Sequence, residues 1–135
     1  MWNALCVIIA TMQRSSRARP YEIRERLFVF ACDVVRVAQK LHARSGLGPA
    51  LSPQLVNAAV SAASNAEEAD DGSSRRDFIA KERIMLRELK ETRLRLRVLR
   101  TTGLLESQED PLLEESMELI KIVATIIRNS QQWQS

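Results

Sequence analysis

The chain has 135 residues, enough for one domain around one core. Hydrophobic residues make up 45% of it but aromatics only 4%, so the core must be aliphatic and alanine-based, which favours packed helices over a sheet sandwich. Cys6 and Cys32 form no CxxC pair and no metal spacing with the lone His42, which argues against a disulfide framework or a zinc site and for free thiols in a reducing cytoplasm.

The net charge of +3 hides a segregation. Residues 1–50 hold eight basic against three acidic side chains, 51–72 none against four, 73–103 ten against four, and 104–135 two against six. Such a pattern either presents a field to a polyanion or pairs basic helices with acidic ones.

Trp2 to Ala10 is an apolar run too short for a bilayer, which needs ~20 residues. It also lacks the upstream basic region of a secretory signal. Met12 is an alternative translation start, and residues 1–19 are read as a frayed tail with no membrane role.

Pro20 opens a first helix, over about 20–44. Ile23, Leu27, Phe30, Val34, Val37 and Leu41 recur at spacings of three and four, a heptad-like seam for a core. His42 near the helix end suits the negative dipole terminus when protonated, and no nucleophile or acid accompanies it. Ser45-Gly46-Leu47-Gly48-Pro49 closes the helix and forms the loop.

Ser52-Pro53 is a cap and first-position pair, so a second helix is expected over 53–70. Leu55, Ala58, Ala62, Ala66 and Ala69 form a face that lets a neighbouring helix approach closely. Gln54, Asn57, Ser61, Asn65 and Glu68 make a polar seam, and Val56, Val60 and Ala63 a third, apolar side. Such a helix is expected to be covered on more than one side.

Asp70-Asp71-Gly72-Ser73-Ser74 breaks it. Ser74 with Asp77 resembles a capping box with Asp in place of Glu, so the acidic cluster has a structural explanation ahead of a metal-binding one.

A third helix is expected over 75–102, ending at Gly103. Phe78, Met85, Leu89, Thr92, Leu96 and Leu99 form its main stripe. Ile84, Leu94 and Val98 form a second set well around the helix. Arg76, Arg83, Arg87, Lys90 and Arg97 fall within about a quarter-turn at ~100° per residue, flanked by Arg93 and Arg100.

Arginines at helical spacing can follow a phosphate backbone. The candidate nucleic-acid contacts are therefore Arg83, Arg87, Lys90, Arg93, Arg97 and Arg100. The competing reading is a solvated face laced by pairs such as Glu91 with Arg95, and the stripe has no interleaved aromatics to stack bases.

Glu88, Glu91 and Thr92 are expected to form, with Ser61, Asn65 and Glu68 of the second helix, a polar network at a helix or subunit interface. Lys81 and Arg95 would serve as its donors. A catalytic carboxylate set of Glu68, Glu88 and Glu91 is the sharper alternative, but no Glu-x-x-His accompanies it.

Asp110-Pro111 is read as the start of a fourth helix over 111–130, with Glu114 and Glu115 in its first turns. Leu112, Leu113, Leu119, Ile120, Val123, Ile126 and Ile127 make its apolar face, and residues 132–135 form a polar tail in which Trp133 could dock on a neighbour.

The ordered series Gln54, Ala58-Ala59, Ser61, Asn65, Glu68, Ser74, Phe78-Ile79, Glu88, Glu91-Thr92, Leu96 and Gly103-Leu104 resembles the bacterial four-helix-bundle family. That family is also called the 23S ribosomal RNA intervening-sequence protein family and includes the accessory variability determinants of diversity-generating retroelements. The resemblance runs from about Tyr21 to about Ser130. It departs at Val56-Asn57, where basic residues are frequent, at Ala62-Ala63, where Ile-Pro is, and at Glu67, where a small residue is usual. It implies a ring-shaped homopentamer with a central channel and RNA or DNA as partner, beside a nucleic-acid-handling protein such as a reverse transcriptase.

The expected fold is all-α, an up-down-up-down antiparallel four-helix bundle over 20–131. Surplus apolar surface on the second, third and fourth helices points to a homo-oligomer. The leading function is a non-enzymatic, cytoplasmic accessory protein that binds nucleic acid, with no catalytic residue, metal or cofactor. The runner-up is a purely structural oligomer whose basic helix pairs with Glu114, Glu115 or Glu118.

Overall fold

The computed structural model describes residues 20–44, 46–71 and 74–132, with side chains from residue 23 onward. The expectations for residues 1–19, Cys6 and Trp133 lie outside the described residues. Among those described there are four long helices and no strand: α1 Pro20–His42, α2 Gly48–Asp70, α3 Arg75–Thr101 and α4 Asp110–Gln132, with a short 3₁₀ turn at Ser107–Glu109 before α4. Each helix packs against the next in the chain, and α4 closes against α1, so the architecture is the expected four-helix bundle.

The core follows the sequence periodicity. All six seam residues of α1 are buried, Leu27 and Val34 completely. The alanine face of α2 is buried with Ala59 added, which allows α2 to lie between α1 and α3. From α3, Met85, Leu89, Leu96 and Leu99 enter the same core, and from α4 Leu112, Leu119, Val123 and Ile127. Burying such a side chain contributes ~1.5–3 kcal/mol.

Two helix starts differ from expectation. α2 begins at Gly48, five residues before Pro53, with Pro49 in the first-turn position that tolerates a missing N–H. Pro53 sits inside the helix, where its ring costs only the bond to Pro49. Ser52 is then no cap: it is buried, with its hydroxyl 3.2 Å from His42 Nδ1, and so ties α2 to the end of α1. At α4, Asp110 is already helical, and its carboxylate accepts from Arg100 Nε at 2.8 Å. The preceding 3₁₀ turn leads directly into the helix.

The remaining boundaries have local causes. Ser74 is extended and accepts from the Asp77 N–H at 3.1 Å, an N-cap worth ~1 kcal/mol. Gly103, at φ +82°, donates to Arg100 O while Leu104 donates to Leu99 O, a left-handed turn that ends α3. Arg44 donates to the carbonyl of Leu104 at 2.7 Å and so ties the two loops at this end of the bundle together.

Candidate nucleic-acid interface

The α3 stripe divides in two. Arg83, Arg87, Lys90 and Arg97 are exposed. Among the described residues, the ion pair made by this set is the long 3.8 Å approach of Arg87 to its neighbour Glu88. Arg93 and Arg100 instead turn towards α4. Arg93 donates to Leu113 O at 2.7 Å and to Ser116 Oγ at 3.3 Å, and Arg100 meets Asp110. They hold the α3–α4 hairpin, which leaves four of the six proposed contacts facing outward.

Leu94 shares that outer face and Val98 lies beside it, 58% and 51% exposed. Leu94 therefore interrupts the exposed basic row between Lys90 and Arg97, so the outer face of α3 is basic with an apolar centre in its C-terminal half. Arg83 and Leu94 are about 16 Å apart along the axis at ~1.5 Å per residue.

Of the acidic residues of α4, Asp110 pairs with Arg100 of the stripe, whereas Glu115 and Glu118 do not pair with it. Glu115 and Glu118 instead take Arg26 of α1, which is buried against the α1–α4 seam and forms a charge-assisted hydrogen bond to Glu115. Arg26 follows Ile23 by three residues. Reading that step as part of the apolar seam would have revealed an arginine placed at a buried position.

The expected polar network is several separate contacts. Asn65 donates to Ser61 O at 2.8 Å within α2, and Thr92 donates to Glu88 O within α3. Lys81 reaches Glu68 at 2.5 Å between α2 and α3. Arg95 bonds Glu91 at 2.7 Å and Gln54 Oε1 at 2.6 Å. Lys81 and Arg95 thus act as donors, but each to a different carboxylate. Glu68, Glu88 and Glu91 do not share one pocket; Glu68 is exposed, and Glu88 meets Arg87 on the outer side. Among the described residues no three His, Cys, Asp or Glu side chains are placed to hold a metal ion.

The carboxylate that is buried is Glu82. It is 3% exposed and its Oε2 has no hydrogen-bond partner among the described residues. Burial pushes its carboxyl up to about 7 from 4.5, and the charge of Asp70 adds to the rise. Glu82 stands three residues before Met85, on the heptad that continues through Leu89, Thr92, Leu96 and Leu99. Its spacing places it on the core face, where a charged residue is seldom found unpaired.

No helix among the described residues is long and apolar enough to cross a membrane. No curated protein matches the chain in sequence. Its fold is similar to the crystal structure of a protein with unknown function from the S23 ribosomal protein family of Bacteroides thetaiotaomicron. That protein is 26% identical, with a TM-score of 0.72, over 81% of this chain and 97% of the other. The family model for 23S rRNA-intervening sequence proteins matches residues 19–125, all of the bundle except the end of α4. The chain belongs to the 23S rRNA-intervening sequence protein family.

Proposed function

We propose that this protein is a non-enzymatic, cytoplasmic accessory protein that assembles as a ring of five copies and binds RNA or DNA along the outer face of α3. The observation that carries the nucleic-acid reading is the exposed set Arg83, Arg87, Lys90 and Arg97, while Glu115 and Glu118 of α4 are engaged by Arg26 of α1. Cations not neutralised within their own subunit are available to phosphates. Five copies at +3 each would carry +15, a field felt well beyond one subunit.

Two apolar patches support assembly. One is a groove between α1 and α2 lined by Phe28, Ala31, Cys32, Val35, Val60 and Ala63, where Phe28 is 58% exposed. The other lies between α2 and α3 around Leu51, Leu94, Val98 and Leu99. The two share no residue, and α2 carries one with α1 and the other with α3. A patch that meets a different patch on the next copy makes a head-to-tail contact, and such contacts close into rings. The family likeness supports five as the number and a nucleic-acid-handling protein, such as a reverse transcriptase, as a companion.

Binding of mixed-sequence RNA and duplex DNA, followed by anisotropy from ~50 to ~200 mM salt, tests the reading. Four phosphate contacts per copy give an expected slope of about −3.6 in log K against log salt on duplex DNA. Arg87→Glu with Lys90→Glu should weaken binding at unchanged helicity. Absence of binding at the lowest salt contradicts the proposal and leaves the purely structural oligomer. That second reading is favoured by Arg93 and Arg100, whose contacts are made within the subunit.

A further inference from the structure

At the end of the bundle where α1 and α3 begin and α2 and α4 finish, a cavity of about 250 Å³ opens among Ile23, Arg24, Ala66, Asp70, Phe78, Glu82, Ile126, Asn129 and Ser130. Ile23, Ala66, Phe78 and Ile126 give it an apolar wall, and Glu82 lines it as a buried carboxyl whose Oε2 has no partner among the described residues. We propose that this cavity is a binding site for a small organic ammonium ion, whose N–H groups meet Glu82 while its hydrocarbon body lies against Ile23, Phe78 and Ile126.

Three observations point to that chemistry. The first is the unsatisfied acceptor. An orphaned buried oxygen costs stability until a donor reaches it, and the broad terminal torsion of glutamate lets either oxygen turn to the cavity. The second is the local charge. From α1 the cavity receives Arg24, and from α2 Asp70, with Glu67 beside it; α4 contributes only the neutral Asn129 and Ser130. Arg24 is held by Asp70 at 2.7 Å and approaches Glu67 at 3.8 Å. Among the described residues three carboxyl groups thus face one guanidinium, so an ionised Glu82 has no cation of its own there. Burial, with the charge of Asp70 as the second cause, raises the Glu82 pKa to about 7.

The third is size and shape. Pockets for drug-sized ligands run from ~300 to ~1,000 Å³, so this one takes a smaller molecule. A divalent cation lacks its ligands here, since no metal-holding group of acids exists among the described residues. An ammonium with a compact hydrocarbon body satisfies the acceptor and the apolar wall together. This inference stands apart from the nucleic-acid reading, which concerns the outer face of α3.

Benzylammonium is the probe, with benzyl alcohol as the uncharged control, titrated into the full-length protein by calorimetry. A fragment of this size is expected to bind with a Kd of ~0.1–10 mM. The ion needs ionised Glu82, so binding should be about tenfold weaker at pH 6 than at pH 8. Glu82→Gln should weaken it at least tenfold. Asn129→Trp at the exposed rim should block it without altering Glu82, which keeps the test open if the Gln variant folds poorly. Glu68→Gln, at an exposed acid away from the cavity, should leave it unchanged. Equal binding of the alcohol, retention in both the Glu82 and Asn129 variants, a flat pH profile, or no binding at 10-fold above that range would overturn the proposal.

Discussion

Glu82 holds a carboxyl where the helix pattern asks for a hydrocarbon, and the bundle carries its cost as a pH dependence. The folded-state value near 7 lies above the unfolded value of 4.5, so the folded protein binds the extra proton between those limits. The contribution to stability is fully present below the unfolded value and is lost as pH rises through 7. Each pH unit within that window is worth at most ~1.4 kcal/mol. Glu82→Gln should therefore remove a decline on the order of 2–3 kcal/mol between pH 4.5 and pH 7.5 in urea melts of the two proteins compared directly. A wild-type curve parallel to that of the variant would show that Glu82 keeps its ordinary value. Arg26 illustrates the same lesson with the opposite sign. Both side chains sit at spacings that periodicity assigns to the core, and a reading that sorts residues by charge first places them outside. What the sequence did not carry was the partner: Arg26 found Glu115 and Glu118 on α4, and Glu82 found none among the described residues.

The helices themselves were legible because their signals are local. The α1 seam, the alanine face of α2, the Ser74 cap and the Gly103 turn each depend on residues within two or three turns of one another. The start of α2 was less so, because two prolines compete for it. Pro49 took the first-turn position, and Pro53 was absorbed as an interior residue. Gly48 explains why the earlier start is available. A Cβ placed there would lie 2.1 Å from Leu41 O, so only glycine lets α2 turn back this close to the end of α1. Gly48→Ala should cost ~1–3 kcal/mol by forcing the two helices apart. Gly46→Ala meets open space and only the backbone strain of φ +82°, and is expected to cost less. Chemical denaturation of both variants checks the order, and equal losses would mean that the loop gives way at Gly48 without resistance.

For the whole molecule, the question is what covers the apolar surface left after the bundle has closed. The distribution differs from the sequence expectation: exposed large apolar residues are Phe28 on α1, Leu47 in the following loop, Val60 on α2 and Leu94 and Val98 on α3, whereas the isoleucines of α4 are partly covered by the core. The period of α4 is that of a broad apolar face, and only packing reveals how much of it α1 and α3 hide. Phe28 escaped notice because Phe30 had already claimed the core at that turn. The central claim is that these patches are buried between copies. Light scattering coupled to size exclusion measures this directly: a single species at five times 15.3 kDa, about 77 kDa, is predicted for the wild type, with Leu94→Glu plus Val98→Glu shifting it to the single chain at unchanged helicity. A wild-type protein that elutes as a stable 15.3 kDa species across the working concentration range contradicts the account.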